Sequence, residues 1–253
     1  MPLHNIIRQL EEKHGCTVGC AIRDAQTGEV LASYRENLVF KSASLIKTPI
    51  MLCALENVER VLLALDAPIS VQPRHCVGDE APVLQDGTDI PLSVLLEYMI
   101  TYSNNSATNV LIDLLGMDKI NAFSQRMGLR DTLLRRCMLD WEAARQGREN
   151  LTSAADMLNL YTGLHMGEVF TPFMCDTALP ILLRQHDKDL LMFSNPAQKA
   201  AHKTGGLSDI AHDAGILYGE HRTLIFAVLA TAPDEKQCEA FHRELSPHVM
   251  ALL

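Results

Sequence analysis

Ser44 and Lys47 form the first pair whose residue types and spacing suit covalent catalysis. They fall near the start of a helical pattern, where residues three apart share one face. A serine hydroxyl is a weak nucleophile without a nearby base, and a neutral lysine can be that base. The Ser44 N–H would also point out of the helix start, where it can bind a developing oxyanion. Because this spacing also arises by chance in many proteins, the pair alone is weak evidence.

A second polar cluster consists of Ser103, Asn104 and Asn105, between two helical patterns. A short loop at this point can turn polar side chains into a cleft. A second serine can carry a proton to a leaving nitrogen, and an asparagine amide can orient a substrate and a lysine. An ordinary polar turn between helices would have the same composition, so that alternative stays open.

The third cluster is Lys203, Thr204, Gly205 and Gly206, on a predicted strand. The lysine supplies positive charge for a carboxylate, and the threonine adds a hydroxyl group. The two glycines allow a substrate to approach the backbone closely and to extend the sheet edge. The Gly206 N–H would be a second oxyanion donor.

The hydrophobic periodicity predicts which elements position these clusters. The chain opens with a helix and a β-hairpin, continues through a long helical middle, and closes with strands and a final helix. Helices are predicted at 3–13, 43–66, 91–116, 118–127, 152–166, 172–185 and 234–253, and strands at 17–22, 29–34, 199–206, 214–219 and 223–232.

This order predicts an α/β (α+β) fold in which the two chain ends share one antiparallel sheet, with the terminal helices on one face. We expect a single unit over residues 1–253. Its α/β part would come from 1–40 and 195–253, and an inserted all-helical lobe from 41–194. Active sites favour the seam between two such parts, which is where the three clusters would meet.

Composition and charge exclude several classes of protein. Apolar residues make up 47% and charged residues 21% of the 253 positions, which is typical of a globular chain. The net charge of −9 disfavours a nucleic-acid-binding surface. No run of roughly 18 apolar residues is present, so no membrane span is predicted.

Cysteine and histidine usage favours a reducing compartment and no metal. The seven cysteines are scattered and odd in number, which argues against a disulfide framework. Cys16 and Cys20 lack a second Cys/His pair that would complete a zinc site, and the histidines show no metal-binding spacing. We therefore predict no cofactor. The amino-terminal segment lacks the apolar stretch of a signal peptide, so a cytoplasmic location is expected unless a leader was removed.

In their order along the chain, the three clusters resemble the S-x-x-K, S-D-N and K-T-G motifs of class A β-lactamases and penicillin-binding proteins. The resemblance to class A β-lactamases covers nearly the full length. It includes the segment GTDIPLSVLLEYMITYSNNSATNVLIDLLG around the second motif. The family's sheet with an inserted helical lobe agrees with the predicted outline.

The resemblance implies roles for the first two motifs. Ser44 would be the acylated nucleophile, and Lys47 its proton partner. Ser103 would pass a proton to the leaving nitrogen, while Asn105 would contact the substrate amide. Asn104 replaces the aspartate that is usual in the family, and we expect this change to alter loop anchoring rather than chemistry.

The third motif is implied to bind the substrate. Lys203 and Thr204 would hold its carboxylate, and Gly205 lies beside them at the strand edge. The N–H groups of Ser44 and Gly206 would form the oxyanion hole.

Deacylation is where the sequence departs furthest from the family. Family members carry a glutamate in a loop of the helical lobe that activates the hydrolytic water. Glu142 is the candidate, because the segment Leu-Asp-Trp-Glu at 139–142 resembles the family's approach to that residue. The loop that follows is shorter than usual. Asn150 occupies the position at which the family has an aspartate that closes the loop through a salt bridge to an arginine. Gln146 occupies the position at which the family has an asparagine that holds the hydrolytic water. Alternatively, Glu142 faces solvent or pairs with a neighbouring arginine.

The resulting prediction is a serine hydrolase of the class A β-lactamase type, which opens β-lactam or related amide C–N bonds through an ester on Ser44. Its partner would be a small-molecule substrate, with neither nucleic acid nor membrane. Two alternatives remain open. One is a cytoplasmic esterase or peptidase on the same site, and the other is a penicillin-binding relative that deacylates slowly or binds without turnover.

Overall fold

The computed structural model describes residues 2–78 and 82–253. The helices are α1 (Leu3–His14), α2 (Lys47–Glu59), α3 (Leu92–Thr101), α4 (Asn105–Leu115), α5 (Met117–Arg126), α6 (Trp141–Arg145), α7 (Ala154–Met166), α8 (Pro172–Leu183) and α9 (Glu235–Met250). The strands are β1 (Thr17–Asp24), β2 (Val30–Tyr34), β3 (Val39–Lys41), β4 (Pro68–Ser70), β5 (Asp89–Pro91), β6 (Leu151–Ser153), β7 (Ala200–Leu207), β8 (Ile210–Tyr218) and β9 (Thr223–Thr231).

The main sheet joins the two ends of the chain, as predicted. Its five strands are antiparallel in the order β2-β1-β9-β8-β7. The first and last strands in sequence are central neighbours, with Thr17 opposite Thr231 and Asp24 opposite Leu224. The third motif therefore lies on β7, an edge strand of this sheet, where a substrate can reach the backbone.

The sheet is buried on both faces, which explains why β9 is apolar at nearly every position. Successive residues of a strand point to opposite faces. Ile225, Ala227 and Leu229 pack into the core shared with the helical lobe, whereas Phe226 and Val228 pack into the core under α1 and α9. The two terminal helices thus cover one face, as predicted. Helix α7 packs against β1, β8 and β9 on the other.

Helix α2 is the central element of the helical lobe. Its residues 47–55 are all buried, so it has no solvent face over that stretch. A helix that is buried all round holds its side chains in place by contacts on every side. Lys47, its first residue, is consequently fixed at the inner end of the lobe.

Two predicted helices are broken in the structure, and both breaks lie at the chemistry-bearing residues. The stretch predicted as one helix from 43 begins with a 3-10 turn, Ala43–Ile46, before α2. The stretch predicted at 91–116 divides into α3 and α4 around Ser103, whose φ is +55°. Asn104 restarts the helix by accepting a hydrogen bond from the Ala107 N–H at 2.7 Å. Periodicity runs through both breaks because the apolar face continues across them.

Among the described residues, no helix is both long and apolar enough to cross a membrane, and no cluster of His, Cys, Asp and Glu side chains is arranged to hold a metal ion.

Candidate active site

Ser44 lies in the 3-10 turn that precedes α2. The turn is anchored at its start, where the Ser42 N–H donates to the Asn150 carbonyl at 2.7 Å. Ala43 has a φ of +44°, which bends the chain sharply before the serine. Pro49 is only the third residue of α2, where a missing N–H leaves no intrahelical bond unmade. The nucleophile candidate is thus on a rigid turn at the start of a buried helix.

Lys47 links the first two motifs. Its side chain is fully buried, and its Nζ donates to the Ser103 carbonyl at 2.6 Å, to Asn105 Oδ1 at 2.9 Å and to Ser103 Oγ at 3.1 Å. A proton can therefore pass directly between the Ser103 hydroxyl and the Lys47 nitrogen. Lys47 itself follows Ser44 by one helical turn. This arrangement joins residues that are more than 50 positions apart in sequence.

Asn104 anchors the loop of the second motif. Its Oδ1 caps α4, and its Nδ2 donates to the Pro82 carbonyl at 2.9 Å. With both ends of the amide engaged and the residue almost fully buried, Asn104 stabilises the left-handed backbone of Ser103. The Asn104 side chain thus anchors the loop of the second motif.

The glycines of β7 let the sheet edge close against the nucleophile turn. A Cβ on Gly205 would lie 3.0 Å from the Ser44 nitrogen and 3.2 Å from the Ala43 Cβ. On Gly206 it would lie 2.7 Å from Glu235 Oε1. A side chain at Gly205 would crowd the Ser44 turn, so glycine there permits the close approach of β7 to Ser44, whereas Gly206 faces the flexible Glu235 side chain.

Lys203 is fully buried beside this edge. Its Nζ donates to the Thr204 carbonyl at 2.8 Å. Burial lowers the pKa of Lys203 to about 8, and the more distant Asp187 and Asp213 oppose that shift. An anion bound here would be attracted strongly by the Lys203 ammonium, because little water surrounds that charge to screen it.

A cavity of about 80 Å³ lies directly beside Ser44. Of the predicted site residues, Ser44, Asn105 and Gly206 line it. The other described lining residues are Ala43, Arg136, Met138, Leu139, Trp141, Glu149, Asn150 and Leu207. Most of this second group belongs to the loop 136–150, so the loop forms one wall of the candidate site.

The structure places Glu142 away from the cavity beside Ser44. Glu142 is not among the described residues that line this cavity, and its side chain is 64% exposed. It pairs with Arg145 and accepts a hydrogen bond from Gln146 Nε2 at 2.8 Å, and the Arg145 bond holds the pKa of Glu142 below its usual value. The five-residue helix α6 buries Ala143 and turns Glu142 to solvent. The alternative of a surface carboxylate paired with its own arginine is the one observed.

Asn150 closes the loop through backbone hydrogen bonds instead of a salt bridge. Its Oδ1 accepts from the N–H groups of Arg135 and Arg136 at 2.7 and 3.0 Å, and its Nδ2 donates to the Arg136 carbonyl at 3.1 Å. The Arg136 guanidinium pairs with Glu149, through Nε at 3.0 Å and Nη2 at 2.9 Å. An ion pair is nevertheless present at the loop neck, and Glu149 supplies its carboxylate.

Sequence reasoning missed Glu149 and Met138, which both face the cavity. Met138 is held by a pair of backbone bonds to Asn109, whose Oδ1 accepts from the Met138 N–H at 2.7 Å and whose Nδ2 donates to its carbonyl at 3.2 Å. The loop has no periodicity from which to infer side-chain direction. The one available signal was the position of Glu149 directly before Asn150.

The structure therefore brings together six of the nine residues predicted for the site: Ser44, Lys47, Ser103, Asn105, Gly205 and Gly206. Lys203 and Thr204 directly precede the two glycines on β7. Glu142 is the one that lies apart. A nucleophile, a lysine and a second hydroxyl in this arrangement can carry out acyl transfer.

Comparison with known proteins identifies the family and the fold of this chain. A family model described as the beta-lactamase enzyme family matches residues 2–252. A beta-lactamase from Sphaerobacter thermophilus DSM 20745 is 25% identical, with a TM-score of 0.89, over 99% of this chain and 96% of that one. An ancestral (GNCA) class A beta-lactamase is also 25% identical, with a TM-score of 0.89, over 99% of this chain and 100% of that one.

A further solved structure shares the fold. It is the L158E mutant of PBP-A, an acyl-enzyme complex with penicillin G, which is 23% identical with a TM-score of 0.86 over 99% of this chain and 98% of that one. No curated protein matches the sequence. With the family model spanning nearly every residue and the fold reproduced throughout, this chain belongs to the beta-lactamase enzyme family.

Proposed function

We propose that this protein is a serine hydrolase of the class A β-lactamase type, which opens β-lactam or related amide C–N bonds through an ester on Ser44. The observation that carries the proposal is the set of hydrogen bonds from Lys47 Nζ to Ser103 and Asn105, one helical turn from Ser44. The substrate is a small molecule, and the chain supplies the acylation chemistry without a cofactor.

Acylation follows from the contacts of the first two motifs. Ser44 Oγ attacks the amide carbonyl carbon, and its proton passes to the Lys47 and Ser103 pair. The carbonyl oxygen becomes an oxyanion held by the N–H groups of Ser44 and Gly206. As the C–N bond breaks, Ser103 supplies a proton to the leaving nitrogen. Asn105, held in place by Lys47, orients the substrate amide.

The third motif recognises the substrate's carboxylate. Lys203 offers a cation in a site with little solvent, and Thr204 adds a hydroxyl beside it. Gly205 and Gly206 bring the strand backbone to the substrate. This role requires that Lys203 be protonated when substrate arrives.

The acylation rate of a carboxylate-bearing substrate is expected to fall above about pH 8, because the pKa of Lys203 is lowered to about 8. Below that pH the ammonium is charged and binds the anion. Above it the neutral amine does not, so kcat/KM should fall roughly tenfold per pH unit. Stopped-flow measurement of acylation across pH 6–10 records this alkaline limb, the part of the pH–rate profile where the rate falls. Lys203→Arg should move the alkaline limb to higher pH, because arginine stays protonated. A limb unchanged in Lys203→Arg would contradict the assignment.

A second candidate function is a penicillin-binding relative whose Ser44 ester is long-lived. The position of Glu142 favours it, because that carboxylate faces solvent and is not available to activate water beside Ser44. In this case acylation would proceed normally and hydrolysis would be slow.

Intact mass of the purified protein, followed over time with a chromogenic cephalosporin, separates the two functions. Colour without a lasting mass increase supports the hydrolase. A persistent adduct on Ser44 with little colour supports the slow relative. If neither colour nor adduct develops with cephalosporins or penicillins, both proposals fail, and the same site would have to be tested with esters.

A further inference from the structure

Glu149 is the one carboxylate among the described residues that line the cavity beside Ser44. Its position follows from the way the loop leaves that cavity. The next residue, Asn150, accepts a hydrogen bond from the Ser42 N–H at 2.7 Å, and β6 then pairs with β3, with Leu151 opposite Lys41. Glu149 is thus attached, through one residue, to the turn that carries Ser44.

The Glu149 carboxylate is oriented by Arg136, and only one of its oxygens is used. Arg136 Nε and Nη2 both donate to Oε2, and the arginine side chain is 7% exposed. Arg136 is itself held, since its Nη1 donates to the Cys137 carbonyl at 3.1 Å. No bond to Glu149 Oε1 comes from residues 2–78 or 82–253. The pair therefore fixes a carboxylate at the cavity wall and leaves one oxygen to accept another donor.

The cavity has room for the molecule that such an oxygen would bind. Its volume of about 80 Å³ exceeds the roughly 10–15 Å³ that one water requires. Ser44, Asn105 and Glu149 contribute polar groups to its lining, and Met138 and Leu139 contribute apolar ones. A water held by polar partners in the cavity that Ser44 also lines is close enough to attack an ester on that serine.

We infer that Glu149, and not Glu142, is the catalytic residue that activates water to hydrolyse the ester on Ser44; this inference rests on the proposed function. The water oxygen attacks the ester carbonyl carbon while its proton passes to Glu149 Oε1. The bond between the carbonyl carbon and Ser44 Oγ then breaks, and the proton passes from Glu149 to Ser44 Oγ, which restores both groups. The acyl group leaves as a carboxylic acid, so that one ester and one water give one serine and one acid.

The two glutamates allow a matched experiment. Glu149→Gln removes the basic oxygen but keeps an amide oxygen that accepts from Arg136, and Glu142→Gln makes the same change on the loop surface. Acylation and deacylation rates are measured separately, by stopped flow and by intact mass, with benzylpenicillin. We expect Glu149→Gln to deacylate at least about 100-fold more slowly, with acylation within about threefold of wild type. Glu142→Gln should match the wild type in both rates.

A purely structural role for the Arg136–Glu149 pair is separated by a third variant. Arg136→Gln breaks the same ion pair but leaves the Glu149 carboxylate in the chain. In the wild type and in Arg136→Gln, the deacylation rate should fall at acidic pH, because a general base must be ionised to accept the water's proton. In Glu149→Gln that acidic limb should be absent. Melting temperatures of all variants show whether each is folded.

Each result supports or overturns the inference. Wild-type deacylation in Glu149→Gln overturns it, as does an acidic limb that survives in that variant. Equal losses in Arg136→Gln and Glu149→Gln, with the limb gone from both, show that the pair only holds the loop. If the wild type acylates but never deacylates, the inference about Glu149 fails while acylation at Ser44 stands. If no adduct and no hydrolysis occur at all, the proposed function fails with it.

Discussion

Replacing Ser44 with alanine is expected to abolish the covalent adduct with any β-lactam and to lower turnover by on the order of 10⁴-fold or more. The substitution removes the one protein atom that bonds to the acyl carbon in the proposed mechanism. Other parts of the site, such as Lys203 and Asn105, are left in place, so non-covalent binding should persist. Intact mass after incubation with benzylpenicillin measures the adduct, and a chromogenic cephalosporin measures turnover.

The fold should tolerate this substitution. Ser44 is partly exposed on a turn that is anchored by Ser42 and covered by Gly205, and none of those contacts involves its hydroxyl group. Ser93→Ala, on the exposed start of α3, is a matched serine control and should behave like the wild type. An adduct that survives in Ser44→Ala would locate the nucleophile elsewhere.

Replacing Lys47 with methionine should slow acylation by roughly 10²–10⁴-fold, the usual contribution of a positioned acid or base. Methionine has a similar length but neither donates nor accepts the proton that Ser44 must lose. The Ser103 carbonyl and Asn105 Oδ1 would also lose a donor, which costs about 1–3 kcal/mol for each group left unsatisfied. The variant should therefore acylate slowly and also melt at a lower temperature.

The two effects of this substitution are separated by measuring them together. Acylation is followed by stopped flow at a temperature well below the melting transition of the variant. Lys119→Met, on the exposed surface of α5, controls for the loss of one positive charge. If Lys47→Met is folded and acylates at the wild-type rate, the proton partner of Ser44 is another group.

The fold was largely predictable because its signals are local or nearly so. The apolar runs of β1 and β9, together with the amphipathic helices α1 and α9 at the two ends, predict that the chain closes on itself through one sheet. The three motifs were recognisable by residue type and order. The breaks in the predicted helices at Ala43–Ile46 and at Ser103 could not be predicted from the sequence. Apolar periodicity continues across a kink in the backbone whenever the same face of the helix stays buried.

The direction of the loop side chains depends on partners far away in sequence. From the sequence alone, Glu142 and Glu149 could each supply the carboxylate that activates water. Glu142 is the better match to the family's motif. Asn109 holds the loop at Met138, and Ser42 holds it at Asn150. Between these two anchors the loop places Glu149 in the lining of the cavity beside Ser44 and leaves Glu142 on the surface.

Residue identity and order along the chain are sufficient to indicate the reaction type, since a nucleophile, a lysine and a carboxylate-binding strand are chemically distinctive even when scattered. The depth of Lys203, the backbone bend at Ser103 and the choice between two glutamates follow from the tertiary structure. Each is set by contacts between segments that meet only when the sheet edge closes on the helical lobe. Burial and hydrogen bonding where the sheet edge meets the helical lobe depend on the whole folded chain. No short stretch of sequence contains residues from both of these parts.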